Sequence, residues 1–465
     1  MRYTSYIGPC GVRVEHRSNA RKYHPCPKCG KKGRRVRIVE RTITHIAPGQ
    51  KALIEARMGV YRCGCACCKY FQAEIAGVPP KGLYSLEIRN VVANSLIRDR
   101  LPTRKVQARM LEDYQIKLSL GFIYDCFTWA FEQINSQERR RWCLENFSGV
   151  LCIDEVHDGK RVILYATDPL SDFTVHFAIN CVNDQDHMNA FLEELKSLGF
   201  HPQVVITDGS PLYKDALVEI WKGVQHQLCL FHVFKEVNSL VLDAFRKIRN
   251  RIKRQGNKGC KRKPGRPSHA AKQQRQRRAT MSKKEQAAFL WDHQYLIVRK
   301  SQSLTQEDWK ILDQMYQIAP EIRTLREFTQ GFYRIFERGL TPAQAAARRR
   351  HFVNRKEFQA NPILVKAMGK IRKERFKKMI VFMRHGQDAQ RTSNHVERNN
   401  RSFRMLQKTR YKRRTDRTIR MAIELDLFER MLQHPLFKPS NVIELSDYRK
   451  PPGDRFLLAA CVNNE

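Results

Sequence analysis

Nowhere in the 465 residues is there a run of about 18 consecutive apolar side chains, the length a membrane-spanning helix requires. There is also no apolar stretch behind the N-terminal MRYTSYIGPC, so the chain is expected to be soluble, unprocessed and without a membrane partner. Cysteine is sparse, with 14 residues in the whole chain, far below the density of a secreted disulfide scaffold. The thiols are expected to be reduced. Acidic residues are scarce as well: 46 Asp plus Glu face 86 Lys plus Arg, a formal charge of +40. A chain that repels itself this strongly calls for a polyanionic partner, and nucleic acid is the leading one. Between residues 246 and 284 the shortage is complete, with 17 Lys or Arg and no acidic residue. Such a block cannot pack and reads as a solvated arm.

Six cysteines crowd into HPCPKCGKKG and YRCGCACCKYF. Cys26-x2-Cys29 has the form of a zinc knuckle, two thiolates in a tight turn that Gly30 can close. In the second cluster Cys65-x2-Cys68 has the matching spacing, while Cys63-x3-Cys67 is the alternative pair. The expected site is a structural, tetrahedral Zn2+ held by Cys26, Cys29, Cys65 and Cys68. Residues 84–136 then carry apolar positions at three- and four-residue spacing in three blocks, which predicts three helices. Their arrangement resembles a helix-turn-helix whose last helix, beginning near Ser119, enters a major groove.

From Gly149 the pattern changes to strands, VLCIDEV, RVILYATD and FTVHFAIN, followed by the amphipathic DHMNAFLEELKSLGF and the short VVIT. Three meandering strands, a helix and a further strand is the ribonuclease H order. In that order the first and fourth strands are neighbours, so Asp154 in VLCIDE and Asp208 in VVITDG face each other. Two such carboxylates repel unless a cation lies between them, and their hard oxygens suit Mg2+ or Mn2+. The third member is expected to be Glu397 in TSNHVERNNRSFR, chosen over Glu374 and Glu424 by its setting. Arg398 follows it directly, and Asn400, Arg401 and Arg404 lie three, four and seven residues further along a helix, placed to hold phosphates. Asp158, Asp168, Asp172 and Asp215 fall at turns or early helix positions, where a structural role is the ordinary one. Glu155, directly after Asp154, is expected on the opposite face of an extended strand. Residues 264–267, Pro-Gly-Arg-Pro among lysines, resemble the core of an AT-hook that places an arginine in a minor groove, but four residues are a short match and generic phosphate binding by Arg266 is the preferred reading.

Taken together, CPKCG, CACC, IDE, ITDG, the spaced Cys229 and His232, and NHVERNNR resemble the bacterial insertion-sequence transposases of the DDE class. The similarity is to the zinc-ribbon-bearing ISL-three group, and it spans all but the arm and the tail. It implies that Asp154, Asp208 and Glu397 form a catalytic triad holding two metal ions for in-line attack on DNA phosphodiesters. Cys229 and His232 match a C-x2-H element also seen in Mutator-like enzymes. His226 extends it to His-x2-Cys-x2-His, which invites a second zinc site, but structural support near the active site is the better reading. The interval of 189 residues between Asp208 and Glu397 implies a helical insertion.

The expected fold is thus a multidomain α+β and α/β chain. It divides into a zinc ribbon (1–78), a helix-turn-helix (79–145), a ribonuclease H-like core (146–240 and 385–435) interrupted by a basic arm and helical insertion (241–384), and a tail (436–465). The expected partners are double-stranded DNA, as terminal inverted repeats and target, and further copies of the chain in a dimer or larger assembly. The expected location is the bacterial cytoplasm, at the nucleoid. Two rival functions remain at this level: a zinc-containing DNA-binding regulator without catalysis, and a tyrosine-type recombinase using His395, Arg398 and Tyr411.

Overall fold

A computed structural model describes residues 2–8, 11–47, 49–65, 69–213, 216–257, 281–385, 390–392, 394–408 and 414–437. Cys67, Cys68, Asp215, Arg266, Tyr411 and the tail from 438 lie outside these residues. The chain divides into two compact units: Met1–Phe147 with Phe173–Val175 and Arg398–Glu465, and Ser148–Asp172 with His176–Glu397. Among the described residues no helix is long and apolar enough to cross a membrane.

In the first unit, strands β1 (Arg2–Ile7), β2 (Arg13–Asn19), β3 (Tyr23–Pro25), β4 (Lys32–Ala47), β5 (Gln50–Arg62) and β6 (Tyr70–Gln72) form one sheet. Its order is β1-β2-β5-β4-β3, with β6 also on β5. The β4–β5 hairpin is its spine. Towards the turn, β4 and β5 bury alternate residues such as Ile43, Ile54 and Ala56, the period-two pattern of a half-buried pair. At the far end the ladder slips between Arg35 and Arg37, leaving Val36 exposed at a bulge.

Three helices follow, α1 (Leu86–Ile97), α2 (Thr103–Tyr114) and α3 (Leu120–Gln133). Ser85 caps α1 through the backbone N–H of Ile88, and Ser119 caps α3 through that of Phe122. Gln115 ends α2 in the left-handed region at φ 55°, turning the chain towards α3. Ile88, Val92, Val106, Met110, Ile123 and Phe127 make their shared core, joined by Met421 and Leu425 of the Asp416–Leu432 helix. A fourth helix, α4 (Ser136–Glu145), was not expected from the sequence.

The second unit holds β7 (Val150–Asp158), β8 (Arg161–Asp168), β9 (Phe173–Asn180), β10 (Val204–Thr207) and β11 (Gln225–Leu228) in the sheet order β11-β10-β7-β8-β9. β7 and β8 run antiparallel, whereas β10 is parallel to both β7 and β11. Helix α5 (Gln185–Ser197) connects β9 to β10 and buries Met188, Phe191, Leu192 and Leu195. Beyond β11, α7 (Leu230–Asn257) follows the short α6 (Ala216–Ile220) and leads into further helices up to Lys373–Met379. Leu230, Val237, Phe245, Phe328, Phe332, Phe352 and Phe376 belong to one apolar core built by this helical stretch. Mixed sheets and many helices are therefore the architecture.

Candidate active site

The apolar runs that make β7 and β10 are buried on both faces, so these strands lie in the middle of the sheet. They pair in parallel with Val204 opposite Val150, Val205 opposite Leu151 and Ile206 opposite Cys152. Asp154 and Asp208 each stand two residues beyond the last of these pairs, at the same end of neighbouring strands. Both charges reach a common neighbour. The fully buried Tyr213 hydroxyl is pushed well above the ordinary tyrosine range, first by burial and then by the charges of Glu155, Asp208 and Asp154.

Strand alternation alone puts Glu155 across the sheet from Asp154, yet its carboxyl belongs to this neighbourhood. It accepts hydrogen bonds from the Asn183 amide and, at 3.3 Å, from the Tyr213 hydroxyl. Burial raises its pKa, and the charge of Asp208 raises it further. Neither Asn183 nor Tyr213 carries a motif that would have marked it beforehand.

Asp208 is held by the turn it opens. Its Oδ1 accepts from the Ser210 N–H at 2.8 Å, and Gly209 beside it has φ 92°, a conformation that favours glycine. A Cβ at Gly209 would also press on Leu228 at 3.2 Å. Thr207, just before Asp208, accepts from the Gly209 N–H at 3.3 Å and sits 2.8 Å from His226 Nε2. Burial, assisted by Lys378, lowers the His226 pKa to about 4, so the ring is neutral near pH 7. Lys378 Nζ lies 3.3 Å from Nδ1 and donates to it, so Nε2–H is the donor to Thr207.

The His226, Cys229 and His232 series does not share one helix: His226 is on β11 and α7 begins at Leu230. Cys229 is fully buried, and its hydrogen bond to His232 raises that imidazole to about 8, with the charges of Asp154 and Asp208 adding to the effect. Asp168 serves the β8–β9 turn, accepting from the N–H groups of Ser148, Leu170 and Ser171 at 2.6, 2.9 and 3.0 Å. Asp172 is in the left-handed region at φ 57°.

Glu397 lies on the helix Asn394–Lys408, but its side chain is outside the described set. The division between the two units falls directly after it, inside that helix. Arg398, Arg401 and Arg404 are exposed on the helix, whereas Asn400 and Phe403 are buried. Leu230 N–H donates to the Arg391 carbonyl at 2.9 Å, which ties the start of α7 to the approach to this helix.

At the other end of the chain, the turn after β3 closes with Gly30 N–H donating to the Cys26 carbonyl at 2.9 Å. The sulfur atoms of Cys26, Cys29 and Cys63 all lie within 4.8 Å of one another. Cys65 is 3.0 Å from Cys29 and 3.3 Å from Cys63. The structure thus adds Cys63, which immediately follows β5, to the expected Cys26, Cys29 and Cys65. Among the described residues this is the one group of three or more His, Cys, Asp or Glu ligand atoms at such spacing. Asp154, Asp208 and Glu155 are neighbours without closing to that distance.

A family model described as Transposase, of the ISL-three DDE type, matches residues 151–417, more than half of the chain. No curated protein matches. Among solved structures, the Drosophila P element transposase strand transfer complex matches with 13% identity and a TM-score of 0.35, covering 76% of this chain and 93% of that one. The family match takes in β7, β10, α7 and the helix that carries Glu397. By that match the chain belongs to the ISL-three family of DDE transposases.

Proposed function

We propose that the protein cuts DNA at the ends of its own element and joins the freed 3′ ends to target DNA, with Asp154, Asp208 and Glu397 as its catalytic carboxylates. The observation that carries this reading is the parallel pairing of β7 with β10, which sets Asp154 and Asp208 level at one end of the sheet. The strand order β11-β10-β7-β8-β9 is the one expected of a ribonuclease H-like core, and it supports the same assignment. The donor set fits a hard divalent cation. Burial first, and then the charge of Asp208, pushes the neighbouring Glu155 carboxyl upward, and the second of these is a repulsion that a cation would relieve. When bound there, Mg2+ or Mn2+ supplies the Lewis acidity that activates an attacking oxygen and steadies the leaving one. The protein's own groups do the orienting. Ser210 and Gly209 fix the Asp208 carboxylate, and Lys378, through the neutral His226, fixes Thr207 behind it.

Cys26, Cys29, Cys63 and Cys65 are the proposed zinc set, with Cys68 the alternative fourth ligand. A closed set of four thiolates makes the site structural. The zinc module and the α1–α3 unit, read as a helix-turn-helix, would recognise the terminal inverted repeats. In that unit α3 has acidic residues and no Lys or Arg, so phosphate contacts fall to the exposed Arg104 and Lys105 at the start of α2. Arg398, Arg401 and Arg404, with the basic arm that includes Arg266, would hold further phosphates. Cutting two ends together implies a dimer or larger assembly, working at the nucleoid.

The test is nicking of a duplex that carries the element's own ends, in Mg2+. Asp154→Asn, Asp208→Asn and Glu397→Gln are each expected to lose at least about a hundredfold in rate while still binding DNA. Undiminished nicking in all three variants would remove these carboxylates from the catalytic site, whereas DNA binding without nicking by the wild type would leave the protein as a DNA-binding regulator.

A further inference from the structure

One basic side chain beside Gly209 has no part in the scheme above. Arg375, on the Lys373–Met379 helix, reaches Glu236 of α7 with both arms of its guanidinium, at 3.2 and 3.3 Å. Lys370 Nζ lies 3.1 Å from the same carboxylate. Burial alone would raise the Glu236 pKa, but the two cations outweigh it and hold the group below its ordinary range. Two cations on one anion leave a net positive charge. A Cβ built on Gly209 would be 3.9 Å from Arg375 Nη2, so this charge lies against the residue next to Asp208. The surroundings add to it: of the nine residues 370–378, six are Lys or Arg and one is acidic. All of these groups belong to the second unit.

We propose that Arg375, pre-oriented by Glu236 beside Gly209, is a binding residue for one DNA phosphate next to the bond cut at Asp208. A guanidinium fork matches a phosphate in two hydrogen bonds and stays charged at every working pH. Glu236 occupies that fork in the absence of DNA, and Lys370 keeps the carboxylate neutralised when Arg375 turns to a phosphate. This rests on the assignment of Asp154 and Asp208 to cleavage. The competing role is a purely structural clamp between α7 and the Lys373–Met379 helix.

The two roles predict different signs for two variants. Binding is read by fluorescence anisotropy with a labelled duplex carrying the element's end, at several salt concentrations. A second set of duplexes carries single methylphosphonates around the cut. Arg375→Gln is expected to bind about tenfold more weakly, with a salt slope shallower by about one. Glu236→Gln leaves the guanidinium in place and is expected to bind as tightly as wild type or more so. One methylphosphonate position should weaken wild type about tenfold and leave Arg375→Gln unaffected. Should Arg375→Gln not fold, Arg375→Lys takes its place, since it keeps the charge and loses the fork. The proposal is overturned if both variants weaken together with a lowered melting temperature, or if every methylphosphonate affects wild type and variant equally. Nicking by Asp154→Asn, measured alongside, reports separately on the underlying assignment: activity equal to wild type there removes the catalytic reading.

Discussion

At the scale of single residues, His226 is the clearest case of a side chain whose role the chain itself concealed. In the sequence it is the first member of a His-x2-Cys-x2-His series that invites a zinc site but reads better as structural support, with no partner for it in view. In the fold it is a neutral, half-buried ring bridging Lys378 and Thr207. Its pKa is lower folded, about 4, than unfolded, so the unfolded chain binds the extra proton between those values. Its contribution is therefore fully present above about pH 6.5 and is lost as pH falls towards 4, by up to about 3 kcal/mol. Melting temperature measured from pH 7 to pH 4 should fall less steeply in His226→Gln than in wild type; parallel curves would contradict the assignment. Cys63 is the second case. The x2 spacing favours Cys65 with Cys68, but β5 ends at Arg62 and delivers Cys63 to Cys26 and Cys29. Cys63→Ser is accordingly expected to release the bound zinc, counted per chain by a colorimetric chelator, and to lower the melting temperature. Full retention of zinc in that variant would exclude Cys63 from the site.

At the scale of elements, the strands that were legible are those whose apolar runs are unbroken. VLCIDEV and VVIT are buried on both faces and announce themselves by composition. β11 does not, because its residues are Gln225, His226, Gln227 and Leu228. Gln227 is fully buried all the same. Its amide donates to the Met379 carbonyl at 3.1 Å and accepts from Phe382 N–H at 2.9 Å, so both ends of the polar group are satisfied. Hydrophobic periodicity has no means of detecting a strand stabilised in this way. The α1–α3 helices were legible from their spacing, but which of them meets DNA is a question of charge. Arg104→Ala with Lys105→Ala should weaken binding to the element's ends and flatten its salt dependence by one to two units, roughly one per lost phosphate contact. An unchanged salt slope would move the DNA contact elsewhere.

At the scale of the whole molecule, a formal charge of +40 accounts for attraction to DNA and carries no chemistry of its own. In the proposed mechanism catalysis depends instead on a few acidic groups distributed over a chain interrupted by a large helical stretch, whose own core, centred on Phe328, Phe332 and Phe352, meets the sheet at Leu228 of β11. The sequence offers candidate carboxylates at the strand ends and is silent about Asn183 and Tyr213, which gather at Glu155 only through folding, and about Arg375, which folding brings beside Gly209. Attraction to DNA and catalysis are thus two properties that one experiment can measure together. The most direct measurement is single-turnover cleavage of the end duplex in Mg2+ by Asp208→Asn, with binding of the same duplex determined in parallel. The account predicts cleavage reduced at least about a hundredfold with affinity essentially unchanged. Cleavage at the wild-type rate in that variant would contradict it.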